Sequence, residues 1–300
     1  MYSPDALSEM IKICRENNIG CVLAVGGGSV IDSSKAISLG VMYEGDVWDF
    51  WIGKAKPKAV LPFGVVLTLP ATGSEASNSC VITNEDGWYK KGINTDLNRS
   101  KFSILNPELT YTLPRFQTVC GAADIMAHVI ERYMTNTPYV DLTDRLCEAV
   151  LKSVIKNVQI VLNDPYNYDA RAEIMWAGTN AHNGLLGTGR EEDWASHKIE
   201  HELSGIYDVT HGAGLAVIMP AWMKYVYKNN INRFVQFANR VWDVEIDLND
   251  LESTALEGIR RFQDFLKSLG LPTTLKDLNI PDDKFEEMAY KCTEYNPVGG

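Results

Sequence analysis

The sequence has no apolar run of the roughly 18 residues that a membrane-crossing helix needs. It has no cysteine pair spaced C-x-x-C and no excess of positive charge. Each absence removes a class of function. The first argues against a helical membrane protein. The six cysteines (Cys14, Cys21, Cys80, Cys120, Cys147 and Cys292) are scattered, which fits neither a zinc ribbon nor a disulfide framework. A reducing cytoplasm suits them best. The formal net charge is −11 and the pI is near 5.0, so nucleic acid and anionic membrane are both repelled. The opening MYSPDALSEM has neither a basic stretch nor an apolar one, and no secretory leader is expected. Internal repeats and low-complexity stretches are missing as well.

The 300 residues are 45% hydrophobic, enough to bury a sizeable core in one large domain or two ordinary ones. Residues 5–17 read as a helix with Leu7, Met10, Ile11 and Cys14 on one face. CVLAV at 21–25 reads as a short buried strand, GGGS follows it, and a helix runs on to about Leu39. GVVLTL at 64–69 is a second buried strand, and FSIL at 102–105 is a third candidate. Strands with helices between them predict a parallel sheet. Beyond Pro114 the pattern is helical, over about 115–135, 140–162, 169–187, 194–206, 212–228 and 250–268. The expected fold is α/β plus all-α. A partial Rossmann-like domain fills 1–110, a helical domain fills 111–300, and the boundary lies near 107–114. A nucleotide-binding sheet usually has about five or six strands, so part of the sheet is expected to lie outside this sequence.

Two loops have the composition of phosphate-binding turns. GGGSVIDSSKA at 26–36 follows a strand and opens a helix. Glycine lets backbone N–H groups approach a phosphate, and the helix start adds partial positive charge. LTLPATGSEAS at 67–77 follows the next strand. Both turns fall at the C-terminal ends of strands, where open α/β sheets bind nucleotides. Neither is the G-x-G-x-x-G fingerprint. A plainer reading also exists, because Ser29/Asp32 and Thr72/Glu75 both fit capping boxes.

The five histidines are His128, His182, His197, His201 and His211. Asp124 and His128 are four apart, as are His197 and His201, so each pair shares a helical face. His211 sits in the turn DVTHGAG. Such a pair is the natural way for a helix to offer two groups to one ion, although it also occurs as an ordinary surface pair. Asp124 and His128 are flanked by Ala122, Ala123, Ile125, Met126, Ala127 and Val129, which favours burial, and a buried Asp or His needs a partner. A metal site is therefore expected, with His182 structural or pocket-lining rather than a ligand. A rival reading takes His197-Lys-Ile-Glu200-His201 as H-x-x-E-H, with Glu200 as the base of a metallohydrolase. It leaves Asp124, His128, His211 and both glycine-rich turns unexplained.

The ordered set GGGSVIDSSKA, ATGSEAS, GAADIMAHVIERY and HKIEHELSGIYDVTHG resembles the iron-containing alcohol dehydrogenase family over nearly the whole chain. DWASHKIEHELSGIYDVTHGAGLAVIMPAW is most similar to its butanol dehydrogenase and aldehyde reductase branch. The resemblance implies that Asp124, His128, His197 and His211 hold the catalytic metal, and that His201 stands beside the reacting centre. It implies coenzyme contacts from Gly27, Gly28, Ser29, Asp32, Thr68, Thr72, Lys90 and Leu109. A small alcohol or aldehyde would be the substrate, with NADP(H) preferred to NAD(H), and the protein would be a cytoplasmic homodimer. N and O ligands without thiolate suit Fe²⁺ or Zn²⁺. Family members also carry a segment ahead of Met1, with the first strands and a G-x-G-S turn, and a shorter one after Gly300. The expectation is thus a truncated product, and an inactive remnant is one alternative.

Other designs match less well. Zinc medium-chain dehydrogenases use a cysteine ligand, and the short-chain type needs Y-x-x-x-K; neither pattern occurs. Glycerol dehydrogenases and dehydroquinate synthases share the implied architecture but typically use one carboxylate and two histidines, so a further ligand at His128 argues against them.

Overall fold

The computed structural model describes residues 4–294. Its first part alternates helix and strand, as the sequence suggests. Helix α1 spans Pro4–Glu16 and buries Leu7 and Ile11, while Met10 stays exposed. Strand β1 (Val22–Gly26) leads into α2 (Gly28–Val41), and β2 spans Phe63–Leu67. The hairpin strands β3 (Ser79–Asn84) and β4 (Tyr89–Asn94) come next, then the two-residue β5 (Ser103–Ile104). The order β1-β2-β5 forms a parallel sheet, paired through Gly26↔Leu67 and Val65↔Ser103.

Two expectations fail here. The antiparallel hairpin β3-β4 was not anticipated. Its second strand, YKKGIN, carries two lysines and a glycine and has little of the β-branched or aromatic character that marks strands. The loop after β2 was expected to open a helix, but residues 71–77 form turns. Neither capping box forms. Helix α2 starts from Gly27 with no side-chain cap. Asp32 instead accepts the Ser74 hydroxyl at 2.5 Å and the Val81 N–H at 3.1 Å. Glu75 accepts the Thr179 hydroxyl at 2.6 Å.

The remainder is helical, with no strand among the described residues after β5. Helices α3 (Arg115–Tyr133), α4 (Asp141–Asn163), α5 (Tyr168–His182), α6 (Ala195–Tyr207), α7 (His211–Val226) and α9 (Leu251–Ser268) correspond to the six expected ones. Helix α5 ends at His182, short of residue 187, and a single 3₁₀ turn covers Leu185–Gly187. Helices α8 (Ile231–Trp242) and α10 (Phe285–Thr293) are additional. Helix α3 is buried on every side from Thr118 to Tyr133, which is why its apolar residues show no solvent-facing stripe. It is the axis of the main core, shared with α4, α5, α7, α8 and α9.

Helix α10 clamps the hairpin. Lys291 donates to the carbonyls of Gly87 (2.8 Å) and Trp88 (3.1 Å) and lies 3.9 Å from Glu202 on α6. Burial of Glu202 outweighs the nearby lysines and raises its carboxyl to about 7. A carboxyl held above its unfolded value of 4.5 contributes stability that is complete below that value and is lost as pH rises through 7. Glu202→Gln should therefore gain on the parent protein by about 1–2 kcal/mol between pH 5 and pH 8. Denaturant melts at the two pH values measure this, and a difference that ignores pH would contradict it.

Candidate metal centre and glycine-rich turns

Asp124 and His128 point inward from the middle of α3, at 2% and 5% exposure. His197 enters from α6, and His211 is the first residue of α7. The start of α6 is fixed by α3: Glu131 takes the His197 N–H at 3.0 Å, and its main-chain carbonyl takes the Asp193 N–H at 3.2 Å. Asp208 in the left-handed region (φ 53°) ends α6 and turns the chain into α7.

These four side chains meet. Asp124 Oδ1 lies 3.5 Å from His128 Nδ1, 3.8 Å from His197 Nε2 and 3.7 Å from His211 Nε2. Ligating atoms 2.0–2.3 Å from a tetrahedral centre are separated by about 3.3–3.8 Å. The candidate ligand atoms of Asp124, His128 and His197 all lie within 4.8 Å of one another, as do those of Glu200, His201 and His211, and His211 bridges the two groups through its 3.7 Å approach to Asp124. Asp124 Oδ1, His128 Nδ1 and His197 Nε2 are buried without a hydrogen-bond partner. One such atom costs about 1–3 kcal/mol. Three facing each other fit the donor set of a divalent cation.

The electrostatics of His128 and Asp124 suit ligation, whereas His197 in the metal-free cluster is held in its charged form. Burial holds His128 well below the usual imidazole value and therefore neutral, the form that ligates. Burial works against charge on Asp124, but His128 and His211 outweigh it and hold the carboxyl low. Burial also opposes charge on His197, while the Asp124 carboxylate facing its Nε2 and the Glu131 carboxylate bonded to its Nδ1 raise it to about 9. His182 packs edge-on to His128 (4.4 Å between ring centres) and faces Trp194 at 5.5 Å. It stands beside the cluster, packed against these rings.

His201 lies one turn beyond His197, 5.7 Å from the His211 ring. Burial, Lys90 and His211 all lower it, so it too is neutral. Glu200 is fully buried and receives the His211 Nδ1 and Ser204 hydroxyl hydrogens, with Lys90 Nζ at 3.5 Å. A carboxylate so engaged has no free oxygen to activate water, which removes the basis of the hydrolase reading.

The two glycine-rich turns sit side by side at the ends of β1 and β2. Thr68 N–H donates to the Gly26 carbonyl at 3.1 Å. A Cβ on Gly28 would stand 2.5 Å from the Thr72 side chain, and one on Gly27 3.0 Å from Leu69. Ser29 is exposed beside them. The other expected coenzyme residues differ. Asp32 has both oxygens occupied within the fold, Lys90 pairs with Glu200, and Leu109 is 41% exposed on the turn Pro107–Thr110. Sequence reasoning missed Glu131, Trp194 and the fully buried Lys35, which bonds Ser74 and the Ser79 carbonyl. Only Glu131 carried a signal, as a charged residue inside an apolar helical run.

A parallel sheet with paired glycine-rich turns, joined to a helical domain holding an Asp/His₃ cluster, is the architecture of a metal-dependent dehydrogenase. The family model described as iron-containing alcohol dehydrogenase matches residues 2–107, and that of the family's C-terminal domain matches 118–298. The chain belongs to the iron-containing alcohol dehydrogenase family. The probable NADH-dependent butanol dehydrogenase 1 of Bacillus subtilis is 46% identical over 96% of this chain and 75% of its own length. The NADPH-dependent aldehyde reductase of Escherichia coli is 34% identical over 97% of this chain and 76% of its own. The crystal structure of NADH-dependent butanol dehydrogenase A from Thermotoga maritima superposes with a TM-score of 0.93 at 38% identity, over 97% of this chain and 72% of that one. The chain is an oxidoreductase of the alcohol dehydrogenase and aldehyde reductase type, and it spans about three quarters of the length of these relatives.

Proposed function

We propose that Asp124, His128, His197 and His211 hold one divalent ion, Fe²⁺ or Zn²⁺, and that the protein interconverts short primary alcohols and aldehydes such as butanol and butanal. The supporting observation is the trio of buried, unpartnered atoms on Asp124, His128 and His197. A divalent metal and a nicotinamide coenzyme supply Lewis acidity at the substrate oxygen and a hydride acceptor at its carbon. The chain does the rest. Asp124 offsets part of the ion's charge, and neutral His201 takes or returns the alcohol proton. Gly27 and Gly28 bring backbone N–H groups to the coenzyme phosphates, with Ser29, Thr68 and Thr72 beside them. NADH is proposed ahead of the NADPH expected from the sequence, because the 46% identical relative is named NADH-dependent. Residues 1–110 form the coenzyme domain and 111–300 the metal domain. A cytoplasmic homodimer completes this reading. No helix among the described residues is long and apolar enough to cross a membrane.

Titration with NADH and NADPH, followed by tryptophan fluorescence and a butanal reduction assay with added Fe²⁺ or Zn²⁺, tests this. Saturable quenching and aldehyde-dependent NADH oxidation are expected. Gly28→Val should weaken coenzyme binding at least tenfold, by about 1.4 kcal/mol or more, because the new side chain meets Thr72. A metal-loaded protein that binds neither coenzyme would refute the reading.

A further inference from the structure

Two carboxylates outside the proposed ligand set do the same thing to two different histidines. Glu131, at 3% exposure, places Oε1 2.9 Å from His197 Nδ1. Glu200, at 0%, receives His211 Nδ1. In each case the opposite ring nitrogen, Nε2, is the one that faces Asp124, at 3.8 and 3.7 Å. We infer that Glu131 and Glu200 are positioning residues that lock His197 and His211 in the tautomer whose Nε2 lone pair points at the metal. This rests on the proposed metal centre.

The chemistry follows from imidazole itself. A neutral ring carries one N–H, and a carboxylate facing Nδ1 fixes the hydrogen there and leaves Nε2 as the donor. The acceptor also orients the ring and raises its basicity as a ligand. Glu131 has a second hold, because the same oxygen accepts the His197 main-chain N–H, so ring and backbone are set together. Glu200 is held in place by the Ser204 hydroxyl and by Lys90. Space for it depends on Gly214, where a Cβ would stand 2.6 Å from Glu200 Oε1. Charge balance supports the pairing: Asp124, Glu131 and Glu200 are three negative groups, matched by one divalent ion together with Lys90. His128 differs from the other two, since the nitrogen that faces Asp124 is its Nδ1, and that atom makes no hydrogen bond.

Cobalt binding to the full chain, read by chelator competition and by the visible absorption of Co²⁺, tests the inference. Glu131→Met and Glu200→Met keep the volume and remove the acceptor. Each should lower Co²⁺ affinity about 10–100-fold and shift the visible bands, while circular dichroism of the metal-free protein stays that of the parent. Glu131→Gln and Glu200→Gln retain a carbonyl acceptor and should recover most of the affinity. Asp124→Ala, which removes a proposed ligand, should abolish binding. Wild-type affinity in the folded Met variants overturns the inference, and so does a Gln variant that loses cobalt as fully as Asp124→Ala. Should Asp124→Ala bind cobalt like the parent, the metal-centre reading itself fails, which is a different result.

Discussion

His197→Ala protein should retain no metal and show no turnover, whereas His201→Ala should keep its metal and slow by roughly 10²-fold. The two residues are one helical turn apart on α6, yet their surroundings differ. His197 Nε2 is a buried, unpartnered atom 3.8 Å from Asp124 Oδ1. His201 lies beyond His211, 5.7 Å from it ring to ring, and groups with Glu200 and His211. Removing the first deletes a proposed ligand; removing the second deletes a proposed proton carrier. Metal analysis of both proteins alongside kcat decides the matter. Equal metal loss from the two variants would sink the ligand assignment.

The second large effect is expected at Gly212. A Cβ there would stand 2.1 Å from the Cys120 carbonyl oxygen and 2.7 Å from its carbon. Those are backbone atoms of α3, which have no rotamer to retreat into. Gly212→Ala must push α7 away from α3, at a cost of about 1–3 kcal/mol for overpacking a tight contact. His211 is the neighbouring residue, so the same shift withdraws a proposed ligand, and metal affinity should fall along with stability. Gly20→Ala is the control, because a Cβ there meets nothing within 4 Å; a change within about 0.5 kcal/mol is expected. Denaturant melts and chelator competition measure both variants. Parent-like behaviour of Gly212→Ala would show that α7 is free to move without consequence.

The cluster was legible because side chains that converge from helices leave a periodic trace. Asp124 and His128 share a face at a spacing of four, within an apolar stretch that predicts burial, and both are buried. The parallel strands were legible for a similar reason, since CVLAV and GVVLTL have the continuous apolar character of strands covered on their faces. The hairpin β3-β4 was not. Its register comes from tertiary contacts, with Lys291 holding the Gly87–Trp88 turn and α6 packing close enough that a Cβ on Gly205 would stand 2.9 Å from the Trp88 carbonyl. Nothing local in YKKGIN encodes those partners. Asp32 and Glu75 misled for a related reason. Their spacing fits a capping box, but their carboxylates bond Ser74, Val81 and Thr179, and these partners are distant in sequence.

Lys90 sits on that hairpin, and its ammonium lies 3.5 Å from Glu200 and 3.3 Å from His211 Nδ1. The sheet half of the molecule thereby contributes a positive charge to the surroundings of a histidine in the helical half. Any displacement of β4 changes the field felt at His211, and with His211 as the proposed ligand, metal occupancy and the position of the hairpin would be thermodynamically linked. Such linkage runs equally in both directions. If coenzyme docking shifts the hairpin, it tightens or loosens the metal by some factor, and loading the metal must change coenzyme affinity by the same factor.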